Sequence, residues 1–256
     1  MPADNTLYDQ PGDLWWDDQG IFSLLRTSLN PARVKYFHGA LERLGVEPAG
    51  MWGLDVGCGG GLLAEELARW GCAVTGIDPA SRALAVAAEH AAASGLDIHY
   101  VAGAGEALPV GSEAYHIVVC CDTLEHVEDP ERVVGEIARA LAPGGVFLFD
   151  TINRTIASGA LAIWLLQEFP LTRILPRHLH VWERFIRPDE LLAILERNGL
   201  ELREVVGLTP RITPDALAAL WRYKCGRSTA GDLGRRFLYD VSHDVSVSYA
   251  GFAVKR

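Results

Sequence analysis

The residues best able to do chemistry fall in three short stretches. Asp55 lies at the end of an apolar run and is followed by Gly57, Gly59, Gly60 and Gly61. Glycines in that density pack poorly and cost backbone entropy, so they belong where the chain turns sharply and a ligand approaches the backbone. Leu62-Leu63-Ala64-Glu65 then reads as the first turn of a helix, whose unpaired N–H groups suit a carboxylate or phosphate. Asp78 closes the second stretch, Ala73-Val74-Thr75-Gly76-Ile77-Asp78, about 20 residues on, where an acid grips a ribose diol. The third is Asp122-Thr123-Leu124-Glu125-His126, directly after the apolar run Tyr115–Cys121. Its carboxylates and imidazole suit a hard divalent cation, or a His126 general base oriented by a carboxylate.

Such residues need a scaffold that gathers strand ends, and the order of elements supplies one. A short strand at Leu54–Val56 is followed by a helix over 61–70, a strand ending at Asp78 and an alanine-rich helix over 81–93. Ile98–Val101 and Tyr115–Cys121 read as strands, Pro130–Leu141 as a helix, and Pro143-Gly144-Gly145 as the turn into a strand over Val146–Asp150. Further on come a helix from Arg187 to Asn198, a strand over Leu200–Gly207 and a closing strand over Val245–Val254. Strands alternating with helices predict an α/β fold: a doubly wound, mostly parallel sheet of seven strands with ligands at its C-terminal ends. The whole chain, 1–256, is expected to be one unit in four parts. These are a helical cap over 1–50, a ligand-binding core over 51–151, an insertion over 152–184, and the rest of the sheet with a flap over 185–256.

The cap is expected to hold a helix that starts at Ile21 and breaks at Asn30-Pro31, and a second running through Arg33, Tyr36, Phe37 and Leu41 to Gly45. Trp15 and Trp16 ahead of it either cover the domain's own core or form an aromatic wall over a ligand. The insertion is too long for an ordinary connection. Its apolar run Ile156–Leu166, flanked by Arg154, Arg173, Arg177 and Arg184, fits a helix at a membrane interface or beside a greasy substrate, or one buried on the domain. His178 and His180 within it are candidates for touching substrate or metal, or are plain surface histidines. Residues 210–240 read as irregular and arginine-rich, a flap.

Composition narrows the function. The net charge of −10 and a pI near 5.3 argue against a nucleic-acid binder, and no aromatic-and-basic patch points to one. Five cysteines form no C-x-x-C pair, which suits reduced thiols and no structural zinc. No signal-peptide core or 18-residue apolar run is present, so the expectation is a soluble, cytoplasmic protein, peripheral at the membrane if 154–178 meets anionic lipid.

A dinucleotide fingerprint, G-x-G-x-x-G, would need glycine where Leu62 stands. The pattern found instead, G-x-G-x-G behind Asp55, resembles motif I of the class I S-adenosylmethionine (SAM) methyltransferases. With Asp78, Leu124-Glu125-His126-Val127, Pro143-Gly144-Gly145 and Thr151-Ile152-Asn153-Arg154, the resemblance covers the core. Trp15-Trp16-Asp17, Asn30-Pro31-Ala32-Arg33, His178-Leu179-His180 and Phe185–Leu191 narrow it to the ubiquinone-biosynthesis O-methyltransferases. The resemblance implies SAM as cofactor, with Gly57 and Gly59 at its backbone, Asp78 on the ribose hydroxyls and Arg33 reaching it from the cap. It also places Asp55, Gly105, Glu106 and Cys121 on the cofactor. Cys121 stands where the family has methionine, and Ala104 where many methyltransferases have aspartate. It further implies a divalent metal, of the magnesium class, at Asp122, Glu125 and His126, although Leu-Glu-His-Val also occurs in metal-independent methyltransferases.

A phenol with a pKa near 10 is ionised to about one part in a thousand at neutral pH, a deficit of roughly 4 kcal/mol that a base or metal must make good. The resemblance implies O-methylation of a phenol or catechol, with a polyprenylated quinone precursor as acceptor, and the ionisation deficit of such an acceptor makes His126 and Glu125 the expected catalytic residues. The alternatives are a small-molecule methyltransferase of secondary metabolism and a SAM-binding scaffold without transfer activity.

Overall fold

The computed structural model describes residues 7–8 and 13–256, so residues 1–6 and 9–12 of the expected cap lie outside the described residues. Its centre is a sheet whose first five strands are β1 (Trp52–Val56), β2 (Ala73–Asp78), β3 (Ile98–Ala102), β4 (Tyr115–Cys120) and β5 (Leu141–Ile152). They pair in parallel in the order β3-β2-β1-β4-β5. Period-two alternation sorts their side chains. Val118, Cys120, Phe147 and Phe149 enter one core layer, whereas Ile117, Val119, Val146 and Leu148 enter the other. The helix α4 (Pro130–Ala140) covers the first layer with Val133 and Ile137. The helices α1 (Asn30–Leu44) and α2 (Leu62–Arg69) cover the second with Phe37, Leu41, Leu63 and Leu67. The helix α3 (Ser81–Ala93) links β2 to β3. Strand order reverses between β1 and β4, which opens a crevice at their C-terminal ends.

The second half of the sheet is antiparallel. β6 (Leu200–Pro210) and β7 (Tyr239–Ser242) pair with each other, and β8 (Ser248–Lys255) lies between β5 and β6, giving the order β5-β8-β6-β7. The sheet thus has eight strands rather than the expected seven. The extra one, β7, begins at the very end of the region expected to be irregular.

That region, 210–240, is ordered. Thr213 caps α7 (Pro214–Lys224) by accepting the Ala216 N–H at 3.1 Å, and Thr229 with Asp232 forms a capping box on α8 (Ala230–Gly234). Three of its five arginines are held by acids: Arg211 by Asp240, Arg236 by Asp215, and Arg235 by Asp18 and Asp232. The break expected at Asn30-Pro31 is absent too. A widened turn over Leu25–Leu29 runs straight into α1, with the Asn30 N–H bonded to the Leu25 carbonyl. The wider spiral relieves the clash between the Pro31 ring and the preceding turn, so the helix continues.

The insertion forms α5 (Ile156–Ser158), capped by Thr155 and continued by a widened helix over Gly159–Glu168. Of that continuation only Ala162 and Gln167 are buried, while Trp164 is 55% exposed. The helix α6 (Pro188–Arg197) follows, with Leu191 and Leu195 in the core. Among the described residues no helix is long and apolar enough to cross a membrane. All five cysteines are free thiols, and only Cys225 is exposed.

Candidate active site

A cavity of about 430 Å³ lies at the crevice between β1 and β4. The glycine loop after β1 forms its floor, with Asp55, Gly57 and Gly59 on the wall, and Asp78 closes the side at the end of β2. Gly105 and Glu106 border it from the turn after β3, Cys121 and Asp122 from the end of β4, and Arg33 from the cap. Every residue expected to meet the cofactor therefore lies on one cavity.

The glycines are needed here for reasons only partly visible in the sequence. Gly57 and Gly59 have positive φ angles of 74° and 50°, a region costly for other residues. A Cβ at Gly57 would strike Thr123, and one at Gly59 or Gly60 would strike Trp15. The bare loop thus accepts protein side chains as well as a ligand. Trp15 is buried and lines the cavity, stacking on Phe22 with ring centroids 4.2 Å apart. Trp16 donates from Nε1 to the Gly60 carbonyl at 2.8 Å and stacks on His90 at 3.5 Å. Of this aromatic pair, Trp15 is buried and also borders the cavity, whereas Trp16 packs over the glycine loop outside the cavity lining.

The acids differ in their partners. Asp78 accepts the N–H groups of Gly59 at 2.9 Å and Ala80 at 2.8 Å, which fixes the loop and turns the carboxylate to the cavity. Asp55 is buried with Oδ2 lacking a hydrogen-bond partner among the described residues, and burial pushes its pKa up to about 7. An orphaned carboxylate oxygen on the wall suits a donor-bearing or cationic ligand, and with the glycine floor and Asp78 it fits SAM.

Arg33 is enclosed by acids. Its Nη1 reaches Asp122 Oδ2 at 2.6 Å and Asp150 Oδ2 at 2.5 Å, and Asn30 Oδ1 accepts from its Nε at 3.1 Å. Burial alone would lower the guanidinium's pKa, but Asp122 and Asp150 raise it well above the ordinary value. Asp122 has φ 48°, strained for a non-glycine residue, and its N–H donates to Asp150 Oδ1 at 2.9 Å. Asp150, at the end of β5, therefore holds both Arg33 and the Asp122 backbone. Sequence reasoning passed over it, although an acid at a strand's C-terminal end was the available signal.

Glu125 and His126 diverge. Glu125 Oε2 accepts the Thr151 hydroxyl at 2.8 Å, Oε1 has no partner among the described residues, and the carboxyl is not on the cavity wall. Burial, then the charge of Asp122, pushes its pKa up to about 8. His126 lines the cavity, with Nε2 3.4 Å from the Tyr8 hydroxyl and Nδ1 unpartnered among the described residues. Burial, helped by Arg184, pulls its pKa down to about 4, so the imidazole is neutral at pH 7. Among the described residues no group of three or more His, Cys, Asp or Glu side chains is arranged to hold a metal ion. Asp122, Glu125 and His126, the expected ligand set, turn instead to Arg33, Thr151 and Tyr8. The residues present do not fit the cation as they stand.

The insertion contributes His180, whose ring centroid is 5.2 Å from that of His126. His178 is exposed. Of the insertion's arginines, Arg154 pairs with Glu190, and Arg184 donates to the carbonyls of His126 and Val127 at 3.2 and 3.3 Å.

The arrangement can hold a nucleotide-bearing cosubstrate over the glycine floor and set a neutral imidazole beside a second reactant. A sequence family described as a methyltransferase domain matches residues 54–149. The YcgJ protein of Bacillus subtilis has the same fold, with a TM-score of 0.61 at 19% identity over 87% of this chain and 99% of that one. Fold and cavity together define a class I SAM-dependent methyltransferase. The ubiquinone biosynthesis O-methyltransferase of Rhizobium leguminosarum bv. trifolii is 39% identical over 201 residues, 76% of this chain and 79% of that relative. That of Pseudomonas entomophila is 42% identical over 196 residues, 76% of this chain and 81% of the relative. The chain belongs to the family of ubiquinone biosynthesis O-methyltransferases, and it is a SAM-dependent O-methyltransferase.

Proposed function

We propose that this enzyme methylates the hydroxyl of a polyprenylated phenol or catechol on the way to a quinone, with His126 as the base. One observation carries the reading: a buried, uncharged imidazole with an unpartnered nitrogen lines the cavity that also holds Asp78 and the glycine floor. SAM, when bound, supplies a sulfonium methyl that an oxygen nucleophile takes in line, the C–S electron pair leaving with the thioether. His126 removes the hydroxyl proton as that attack proceeds and afterwards releases it to solvent. With a pKa near 4 the imidazole does not form a free phenolate in advance; it takes the proton only in step with attack, as the oxygen bonding to the methyl becomes more acidic. Asp78 and Asp55 hold the ribose and a donor-bearing part of the cosubstrate. Arg33 and Cys121 border it from the cap and the end of β4, and Gly105 and Glu106 from the turn after β3. Glu125, bonded to Thr151 behind the wall, supports the His126 loop. A divalent cation at Asp122, Glu125 and His126 would require these side chains to leave their present partners, and no step is routed through it.

The long tail is supported by the insertion, which leaves Ile156 and Leu171 89% and 73% exposed, with Trp164 on the same segment. These side chains and the nearby Arg173 and Arg177 suit the surface of an anionic membrane in which such an acceptor dissolves.

The test is methyl transfer from labelled SAM to a polyprenyl catechol and to a tailless one, with wild type and His126→Asn. Wild type should prefer the tailed acceptor. The variant should lose about 100-fold or more in kcat while still binding SAM. An unchanged kcat would remove His126 from the chemistry, and transfer confined to the tailless acceptor would remove the quinone assignment.

A further inference from the structure

A surface helix ordinarily buries its large apolar side chains and turns small or polar ones to water. The helix α7 does the reverse. Its buried side chains are Ala216 and Ala219, whereas Leu217 and Trp221 stand 54% and 67% exposed, preceded by an exposed Ile212. A lone exposed apolar residue is ordinary, but three so close in the chain form a patch that asks for a cover. At about 100° per residue, Leu217, Trp221 and Cys225 share an arc of about 80°, with Lys224 on one flank and Arg222 on the other.

Charge identifies the cover. The chain carries −10 overall, yet Asp215 is the one acid between Arg211 and Arg227, and it is taken by Arg236 at 3.2 Å. Arg222 and Arg227 are exposed and have no acid partner among the described residues. Lys224 donates from Nζ to the carbonyls of Pro170 at 3.3 Å and Arg173 at 2.8 Å, which ties α7 to the turn that exposes Leu171. One of its three N–H groups is left for another acceptor. An apolar strip edged by cations fits a surface where phosphates lie above apolar tails, and tryptophan favours that boundary. We propose that α7 is a lipid-binding element in its own right, laying Leu217 and Trp221 among the headgroups of an anionic bilayer with Arg222, Lys224 and Arg227 on the phosphates. This contact stands on α7's own residues, apart from the lipid contact read from the insertion, and holds even if the insertion touches no lipid.

The experiment uses the full chain and two kinds of vesicle, phosphatidylcholine alone and equal parts phosphatidylcholine and phosphatidylglycerol. Co-sedimentation is compared for wild type, Leu217→Ser with Trp221→Ser, Arg222→Gln with Arg227→Gln, and the insertion pair Trp164→Asp with Leu171→Asp. Wild type should pellet with the anionic vesicles, and less so as salt rises. Each α7 pair should weaken that binding about tenfold or more, and the arginine pair should also flatten the salt dependence. An environment-sensitive dye on Cys225, the only exposed cysteine, should shift its emission to the blue with the anionic vesicles and not with the neutral ones. Unchanged S-adenosylhomocysteine affinity shows that each variant is folded. Wild-type binding by both α7 pairs, equal binding to neutral vesicles, or a self-associating chain that Trp221→Ser returns to monomer without any vesicle binding overturns the proposal. Loss confined to the insertion pair overturns it too and leaves the insertion's own contact with lipid. Loss confined to the α7 pairs supports it and removes the insertion's contact instead.

Discussion

Asp150 and Glu125 show how much a single carboxylate's meaning depends on what faces it. Asp150 completes the enclosure of Arg33 and holds the strained Asp122 backbone. Breaking one member out of a buried ion cluster costs about 3 kcal/mol. Asp150→Asn should therefore lower stability by about that much in chemical denaturation and raise the KM for SAM, because Arg33 and Asp122 both border the cavity. A variant with wild-type stability and KM would show the cluster to be idle. Glu125 gives a pH signature. Its folded pKa lies near 8 against an ordinary 4.5, so the stability it contributes is full below about pH 4.5 and lost as pH rises through 8. Glutamine has no such dependence. The melting temperature of ligand-free Glu125→Gln should thus gain on wild type steadily from pH 5 to pH 8. A constant difference across that range would mean that the carboxyl titrates normally.

At the scale of elements, what was legible in the sequence followed from local rules. The glycine loop, the acid ending β2 and the run after β4 announced themselves because strand–helix alternation sends every strand's C-terminal end to one edge. The partners of those residues were not legible. Arg33 meets Asp150 across 117 positions and Trp15 lies over a loop some forty residues away, contacts that exist only once the helices are docked. The bonds from Gln167 to the His180 N–H and carbonyl follow no standard turn, so no spacing rule predicts them. The misreading of 210–240 is different in kind, since Thr213-Pro214 and Thr229-x-x-Asp232 are ordinary helix starts that the density of arginine obscured. The insertion was ambiguous between buried and interfacial because its apolar residues run nearly all round, and only the fold reveals that Ala162 and Gln167 face inward. The exposed apolar side chains make a prediction for the insertion as a unit. Replacing Trp164 and Leu171 together by Asp should sharply reduce co-sedimentation with anionic vesicles while leaving transfer to a tailless acceptor intact. Undiminished co-sedimentation would sink lipid contact through 154–178.

For the whole molecule, the position of β8 matters more than its place in the chain suggests. It pairs with β5 along Val146–Ile152 and with β6 along Leu200–Leu208, and it brings Tyr249 and Phe252 into the two core layers. A closing segment that docked on an edge could be trimmed with little harm. This one is the seam between a parallel half and an antiparallel half. While the chain is being synthesised, β5 presents an unpaired edge and β6 has no neighbour on that side until residues 248–255 arrive. Removing 248–256 should therefore yield insoluble or protease-sensitive protein rather than a shortened enzyme, and a folded, SAM-binding truncation would refute that. The same order extends to the cap, where Asp18 is gripped by Arg235 and receives the Gly231 N–H, and Ser28 bonds to the Phe237 carbonyl. Sheet and cap are thus tied together by residues 231–255, a stretch that carries none of the glycine-loop or acidic motifs yet without which the strands that present those motifs lack their seam.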